Sequence, residues 1–208
     1  LRPIADGTTT LQITYGGQTR SVPVEVKRFE FELPVSFSRD VMPVFLRAGC
    51  NRGSCHGASR GQRGFRLSVF GFDPDGDYHR LTREFVGRRI NLAVPEESLL
   101  LLKATEQVAH GGGERFTVDS EPYQTVLKWL QSGALKDAGR VARPVAVEIY
   151  PPEVVLDGGS QRFIVRARYS DGTDRDVTAL TVFSSSNPTA AAITAEGVLH
   201  AGKRGESF

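Results

Sequence analysis

The stretch Cys50–His56, with the sequence CNRGSCH, contains both cysteines of the 208-residue chain and a histidine directly after the second one. Two cysteines followed by a histidine are typical of covalent haem attachment, in which the thiols add to the porphyrin vinyl groups and the imidazole binds the iron. The ordinary attachment signature has two residues between the cysteines, whereas this stretch has four. Gly53 lies inside the longer loop, and we expect it to adopt a positive φ that brings both sulfurs to vinyl distance.

Three other interpretations of this stretch compete with haem attachment. A disulfide between Cys50 and Cys55 is sterically possible and suits an oxidising compartment, but it gives His56 no role. A zinc site made of these three residues and a remote histidine is chemically reasonable, although its second ligand pair has no close spacing. Two reduced buried cysteines beside a surface histidine are disfavoured by the polarity and glycine content of the loop. The residues alone leave all four interpretations open.

Composition and charge narrow the function classes. Lys and Arg number 26 against 24 Asp and Glu, for a formal charge of +2, so no global basic excess points to nucleic acid. The longest apolar stretches, such as Leu99–Leu102, are far shorter than the roughly 20 residues of a membrane-spanning helix. The chain begins at Leu1 without a signal-peptide pattern and ends at Phe208 within a predicted strand, so we expect an internal fragment of a longer secreted or anchored protein.

The two ends of the chain carry strand patterns. Alternating β-formers on both sides of Gly16-Gly17 predict a β-hairpin over Leu11–Val26, within a region of residues 1–28. After a linker at Ala138–Pro144, short strands separated by turns predict a β-sandwich over residues 144–208. This sandwich would be incomplete, because about seven strands are expected.

Helical signals dominate the middle of the chain. Ser38 is a predicted N-cap for a helix through Val41 and Leu46, and further helices are predicted to open at Pro95 and at Ser120. Residues 37–136 are therefore predicted to form a small, mostly α domain.

The same middle region resembles a known family. The residues that carry the resemblance are Ser38–Phe45, Cys50–Gly57, Gly64–Pro74, Asp77–Glu84, Gly87–Asn91, Pro95–Lys103, His110–Gly113 and Trp129–Ala134. Together they resemble the planctomycete-type cytochrome c domain, within the broader class I cytochrome c fold. The resemblance implies one covalent haem c held by Cys50 and Cys55, with His56 as the proximal iron ligand, and a CxxxxCH motif that is known in this family.

The resemblance also directs attention to the distal iron ligand. In class I cytochromes this ligand is usually a Met on the loop before the last helix, where this chain has Ala109–Gly113. We therefore predict His110 as the distal ligand, with His79 as the second choice and Met42 as the third. A bis-imidazole iron would have a lower potential than a His/Met iron and would bind external ligands poorly.

Two sets of residues are candidates for the surroundings of a haem. An apolar shell is predicted from Phe45, Phe65, Leu67, Leu99, Leu102 and Trp129. Arginines that could pair with haem propionates or steer an acidic redox partner are Arg60, Arg63, Arg66, Arg80, Arg83, Arg88 and Arg89. For most of these arginines a solvated face is the simpler interpretation.

The β regions resemble a second family. The residues that carry this resemblance are Pro151-Pro152, Leu156–Gln161, Tyr169–Thr173, Asp176–Thr178 and Ser184–Pro188. They make Val147–Leu199 similar to the bacterial immunoglobulin-like group 2 module, and the N-terminal hairpin is similar to the last two strands of such a module. We therefore hypothesise that the hairpin completes the truncated C-terminal sandwich, in the same chain or a neighbouring one.

These inferences define the expected fold and function. The expected fold class is multidomain, with a mostly α cytochrome c-like domain and an all-β immunoglobulin-like sandwich. The expected function is electron transfer by one covalent haem c, without enzymatic activity, in the periplasm or at the cell surface and with a protein redox partner. The alternatives are a cell-surface structural or adhesion protein with a Cys50–Cys55 disulfide, and a haem sensor or enzyme with an open iron position.

Overall fold

A computed structural model describes residues 3–30, 34–139 and 141–208. The chain divides into two compact units, Leu1–Pro34 and Val35–Phe208. The predicted linker at Ala138–Pro144 is described except for residue 140, and the predicted N-terminal region is described from residue 3 onward.

The first unit is a two-stranded antiparallel hairpin. Strand β1 (Gly7–Tyr15) pairs with strand β2 (Gln18–Val26), and Tyr15 lies opposite Gln18. The two residues between the strands, Gly16 and Gly17, have φ values of 55° and 76°, which the tight turn requires and which glycine adopts without strain. Almost all side chains of both strands are exposed.

The second unit begins with its helices. A π-helical turn at Phe37–Val41 leads into α1 (Met42–Arg47), and α2 (Pro74–Thr82), α3 (Leu99–Ala104) and α4 (Glu121–Gln131) follow. Short 3₁₀ turns lie at Val69–Gly71, Pro95–Glu97 and Thr178–Leu180.

Side-chain caps explain where several helices begin. The side chain of Asp73 accepts the N–H of Gly76 ahead of α2, and the hydroxyl of Ser120 accepts the N–H of Tyr123 ahead of α4. The first helical turn is capped by Ser36, which accepts the N–H of Arg39, so the predicted cap at Ser38 was wrong by two residues.

The core lies where α1 and α4 meet the first helical turn. Trp129 and Val126 on α4 are fully buried, and the ring of Phe37 packs 5.2 Å from that of Trp129. The indole N–H of Trp129 donates to the carbonyl of Leu135 at 3.0 Å. The carboxylate of Asp137 accepts the N–H groups of Phe37 and Ser38, both at 2.9 Å, and so holds the two ends of the helical region together.

Six short strands form two antiparallel sheets in the rest of the second unit. The strands are β3 (Pro144–Tyr150), β4 (Ser160–Arg162), β5 (Ile164–Tyr169), β6 (Asp174–Asp176), β7 (Ala191–Ile193) and β8 (Val198–Ala201). One sheet has the order β3-β5-β6 and the other β4-β8-β7. This region packs on the helices through Leu180 and through Arg175, which donates to Asp40 at 2.5 Å.

The structure overturns the expected fold class. The four α-helices have only 6 to 11 residues, and the described residues contain helix and strand in similar amounts. The glycine- and arginine-rich residues 49–66 form turns, with positive φ at Gly49, Gly61 and Gly64, so residues 37–136 are not a mostly α domain. The two C-terminal sheets have three strands each, whereas an immunoglobulin sandwich has about seven strands, so the all-β immunoglobulin-like prediction was also wrong.

Candidate functional site

The candidate site begins immediately after α1, in the loop that carries the two cysteines. The N–H of Cys50 donates to the carbonyl of Phe45 at 2.9 Å, which continues the chain from α1 into the loop. The loop then closes on itself, because the N–H of His56 donates to the carbonyl of Cys50 at 3.0 Å. These bonds place His56 directly beside the start of its own loop.

A glycine permits this closure, although not the glycine that the sequence suggested. Gly53 has no positive φ and faces open space. A side chain at Gly57 would instead collide with the carbonyl oxygens of Asn51 and Arg52, so only glycine fits at that position. The expectation for Gly53 was therefore wrong, because the tight approach occurs after the second cysteine.

His56 is held in one orientation and in its neutral form. Its Nδ1 lies 3.0 Å from the carbonyl oxygen of Phe65, and the Phe65 ring packs 4.6 Å from the imidazole. Because a carbonyl oxygen only accepts, Nδ1 carries the proton and Nε2 carries the free lone pair. Burial lowers the pKa of His56 below its ordinary value, and the neutral imidazole is the form that binds a metal.

His110 repeats this arrangement from a separate turn. Its Nδ1 lies 2.9 Å from the carbonyl oxygen of Gly113, so its Nε2 is also the unprotonated nitrogen. The His110 ring is almost parallel to that of His56, with an interplanar angle of 10° and ring centres 6.3 Å apart. The structure thus brings together two histidines that are more than fifty positions apart in the sequence.

The ring centres of His56 and His110 are about as far apart as those of two imidazoles that bind one metal ion from opposite sides. An imidazole nitrogen lies about 2 Å from a bound metal and about 1.1 Å from the centre of its own ring, so two opposed ligands have ring centres about 6.2 Å apart. The observed separation of 6.3 Å agrees with this value. Hydrogen bonds from Nδ1 to backbone carbonyls are also the usual outer contacts of metal-binding histidines.

The two cysteines of the loop are not joined to each other in the structure. Both Cys50 and Cys55 are half-buried free thiols. Burial raises the pKa of Cys50 to about 11, so its thiol keeps its proton at neutral pH. Within residues 3–30, 34–139 and 141–208, no group of three or more His, Cys, Asp or Glu side chains is placed to hold a metal ion.

Asn51 is a polar residue of the loop that sequence reasoning missed. Its side chain is only 1% exposed. Neither its amide nitrogen nor its amide oxygen has a hydrogen-bond partner among the described residues. Buried amides without partners are rare in folded proteins and cost about 1–3 kcal/mol. A water molecule or another added group could supply the missing hydrogen bonds of the Asn51 amide.

The lower-ranked iron ligands lie in different surroundings. His79 is exposed on α2, and Met42 is buried in the core at 5% exposure. Among the described residues, the aromatic partners of the His56 ring are Phe65 and His110. The geometry therefore favours His110 over either alternative.

Two arginines act on this site in ways that the sequence did not reveal. Arg89 is 7% exposed, donates to the carbonyls of Arg80, Glu84 and Gly64, and places its guanidinium 4.7 Å from the ring centre of Phe65. Arg115 donates to the carbonyl of Gly112, beside His110, and its charge lowers the pKa of Cys50 and of His56. These roles depend on burial and on the approach of Arg89 to Gly64 and Phe65, for which residue spacing gives no signal.

Comparison with known proteins gives no family for this chain. No family model matches it, and no curated protein matches it either. The resemblance to the planctomycete-type cytochrome c domain and to bacterial immunoglobulin-like group 2 modules is therefore wrong as a family assignment, and the absence of a cluster of three metal ligands in the described residues agrees with that correction. In the described part of the chain, no helix has the length and apolar character needed to cross a membrane.

Proposed function

We propose that this protein binds one haem covalently through Cys50 and Cys55, uses His56 and His110 as the two axial iron ligands, and carries single electrons. The observation that carries the proposal is the pair of nearly parallel imidazole rings with centres 6.3 Å apart, each bonded through Nδ1 to a backbone carbonyl. The proposal rests on this geometry and on the order of residues in Cys50–His56, and not on any family.

The cysteines would form the covalent attachment. Cys50 and Cys55 would each hold one porphyrin vinyl group through a thioether, with the thiol hydrogen taken up by the other vinyl carbon. The product is a neutral thioether, which suits the buried position of Cys50 better than a thiolate. The Cys50–His56 order places the attachment sulfur of Cys55 next to the axial His56.

Two axial histidines favour electron transfer over enzymatic chemistry. When both axial positions are filled by side chains, no position is open for oxygen, peroxide or carbon monoxide. Two imidazoles also give a lower reduction potential than an imidazole with a thioether. His56 and His110 would hold the iron, and Phe65, which packs against the His56 ring, would keep that ring in place. We therefore propose a carrier and not a haem sensor or enzyme.

The proposal includes a compartment and a partner. Thioether haem is attached outside the cytoplasm, so we place the protein in the periplasm or at the cell surface and expect a protein redox partner. Pairing of the exposed N-terminal hairpin with the C-terminal strands of this chain or of a neighbour stays a prediction.

Haem content tests the proposal directly. The protein is produced in a host that matures c-type haem, extracted with acid acetone and dissolved in alkaline pyridine. We expect a c-type haemochrome in the protein fraction, and a double C50A/C55A variant should release all haem into the acetone. Comparing this variant with the wild-type protein at equal expression distinguishes covalent haem attachment from non-covalent haem binding.

Absence of haem from the wild-type protein would contradict the proposal. If the wild-type protein retains no haem while mass spectrometry shows a Cys50–Cys55 disulfide, the chain would be the surface structural protein that the sequence left open. If it retains zinc in place of haem, the haem proposal would be wrong and the zinc site that the sequence left open would replace it.

A further inference from the structure

A row of side chains connects an exposed surface to His56. Phe85 is 63% exposed, and the guanidinium of Arg89 lies 5.4 Å from its ring centre. The same guanidinium lies 4.7 Å from the ring centre of Phe65, which packs 4.6 Å from His56. Aromatic and cationic groups therefore alternate from the surface to the candidate iron ligand.

The backbone at Phe85 has a strained conformation. Its φ is 52°, in the left-handed region that a bulky residue seldom adopts. The turn is closed by the N–H of Arg88, which donates to the carbonyl of Phe85 at 2.9 Å, and by Arg89, which donates to the carbonyl of Glu84 at 2.6 Å. A strained backbone that exposes an aromatic side chain points to a use for that side chain.

A groove lies beside this turn. It has a volume of about 470 Å³ and its lining includes the apolar side chains of Val86, Ile90 and Leu92. Val86 is 81% and Leu92 is 50% exposed. Large exposed apolar side chains grouped around a concavity mark an interaction site more often than a solvated face.

The rim of the groove is positively charged. Arg83 and Arg88 both line it, and neither guanidinium has an ion-pair partner in the described part of the chain. Glu97 is the one acidic residue among the described residues of the lining. A guanidinium presents paired donors that match a carboxylate, so two unpaired guanidinium groups fit an acidic ligand.

We propose that this docking face, formed by Arg83, Phe85, Val86, Arg88 and Leu92, binds the protein's redox partner through an acidic protein surface with an apolar centre. The inference rests on the proposed function, because the row from Phe85 to His56 gives the docking face its relation to the iron. An apolar centre inside a charged rim is the usual anatomy of a protein interface, and the charges speed association with a partner of opposite sign.

A protein surface fits this face better than a membrane does. Anionic membranes attract clusters of about 4–8 basic residues on a flat or helical surface. Here two guanidinium groups flank a concave groove, and a concavity accepts a protruding side chain. A short acidic peptide and an anionic lipid vesicle therefore distinguish a protein ligand from a membrane.

The test uses a fluorescent acidic peptide, with the sequence Glu-Leu-Glu-Glu-Phe-Glu and blocked ends, titrated with the complete protein. We expect saturable binding that weakens as salt is added. A double R83E/R88E variant should bind at least about tenfold more weakly, because two attractive charges become repulsive. The matched control is K203E/R204E, which changes net charge equally at two exposed residues far along the chain from the groove.

Several outcomes would overturn the proposal. If K203E/R204E weakened peptide binding as much as R83E/R88E, the effect would come from net charge and not from the docking face. If a peptide with Lys in place of Glu bound equally well, the face would not require acidic side chains in its ligand. Binding to phosphatidylglycerol vesicles that R83E/R88E abolishes, without peptide binding, would assign the face to a membrane. Correct folding of each variant is checked by circular dichroism.

A second measurement separates this proposal from the haem proposal. Peptide binding needs no haem, so it is measured on protein with and without the cofactor. In the haem-loaded protein, R83E/R88E should slow electron transfer to anionic hexacyanoferrate(III) and should not slow transfer to cationic tris(phenanthroline)cobalt(III). Haem without any peptide or rate effect overturns the docking face alone. Absence of haem overturns the proposed function and the redox role of the partner, and peptide binding then still tests whether the face binds an acidic protein surface.

Discussion

The core around Trp129 and the site around His56 use polar groups in opposite ways. In the core, the indole N–H of Trp129 is bonded to Leu135, and the fully buried Asp77 accepts from Ser68 and from Arg80. In the site, Asn51 is equally buried but both atoms of its amide lack partners among the described residues. The buried polar groups of these two core residues have hydrogen-bond partners, whereas the buried amide of Asn51 has none among the described residues.

This difference indicates that separate groups of residues determine folding stability and the properties of the site. The buried polar groups of Trp129 and Asp77 have hydrogen-bond partners, as is usual in folded proteins. The two histidines instead use one nitrogen each on the backbone and keep the other free. Changes in the core should therefore alter folding stability, and changes in the site should alter haem binding and redox chemistry.

The largest effect on folding is expected from W129A. The substitution removes a fully buried indole and its hydrogen bond to Leu135, so the free energy of unfolding should fall by about 3–5 kcal/mol. Urea unfolding of the haem-free protein, followed by circular dichroism, measures this loss. A loss below about 1 kcal/mol would mean that the helical core does not depend on Trp129.

A smaller effect is expected from D137N. Asp137 accepts the N–H groups of Phe37 and Ser38, and loss of such a helix cap costs about 0.5–2 kcal/mol. Burial acts to raise the pKa of Asp137, but hydrogen bonds from Ser38, Ser36 and Phe37 outweigh it, so the pKa lies below its ordinary value. Urea unfolding at several pH values compares the variant with the wild type.

The pH dependence of this difference has a definite sign. Between the lowered folded pKa and the unfolded pKa of about 3.9, the unfolded chain binds more protons, so the stabilisation by Asp137 rises with pH. It should be fully present above pH 4–5 and lost as pH falls through the folded pKa. A wild-type advantage that stays constant down to low pH would contradict the cap.

The opposite sign is expected for N51L in the haem-free protein. Replacing a buried amide that has no partner by an apolar side chain of similar size removes a desolvation cost, so stability should rise by about 1 kcal/mol. The matched comparison is D77N, which disturbs a satisfied buried group and should destabilise. Destabilisation by N51L would show that the amide of Asn51 is satisfied in solution, and the contrast between core and site would weaken.

The smallest effect on folding should come from H110A, together with a clear effect on haem chemistry. Among the described residues, the half-buried His110 side chain hydrogen-bonds to the carbonyl of Gly113 within its own turn, so haem-free stability should change by less than about 1 kcal/mol. The reduced haem protein should gain carbon monoxide binding, because one axial position opens. Absorption spectra under carbon monoxide measure this, with H79A as a control that should bind none.

Local structure could be predicted from the sequence where neighbouring residues decide it. The Gly16-Gly17 turn and the opening of α4 at Ser120 follow from short patterns, and both are found in the structure. The class of the fold was predicted wrongly, because residues 49–66 contain turns where a helical domain was expected. Turns closed by backbone bonds, such as His56 N–H to the carbonyl of Cys50, leave little trace in hydrophobic periodicity.

In the candidate site, too, some residues could be predicted from the sequence and others could not. The cysteines, His56 and His110 could be selected from the sequence, because their residue types carry the chemistry. Asn51 could not, because its role depends on burial. Arg89 was selected only as one of seven candidate arginines, and its contacts with Gly64 and Phe65 appear only in the fold. The need for glycine at Gly57 likewise arises from a close approach of the backbone at Asn51.

The central claim is that His56 and His110 bind one haem iron from opposite sides. Low-temperature electron paramagnetic resonance of the oxidised haem protein tests it most directly. We predict a low-spin ferric signal with rhombic character, because the two imidazole planes differ by only 10°, and we predict its loss in H110A but not in H79A. A high-spin signal in the wild-type protein, or a low-spin signal that H110A leaves unchanged, would contradict the claim.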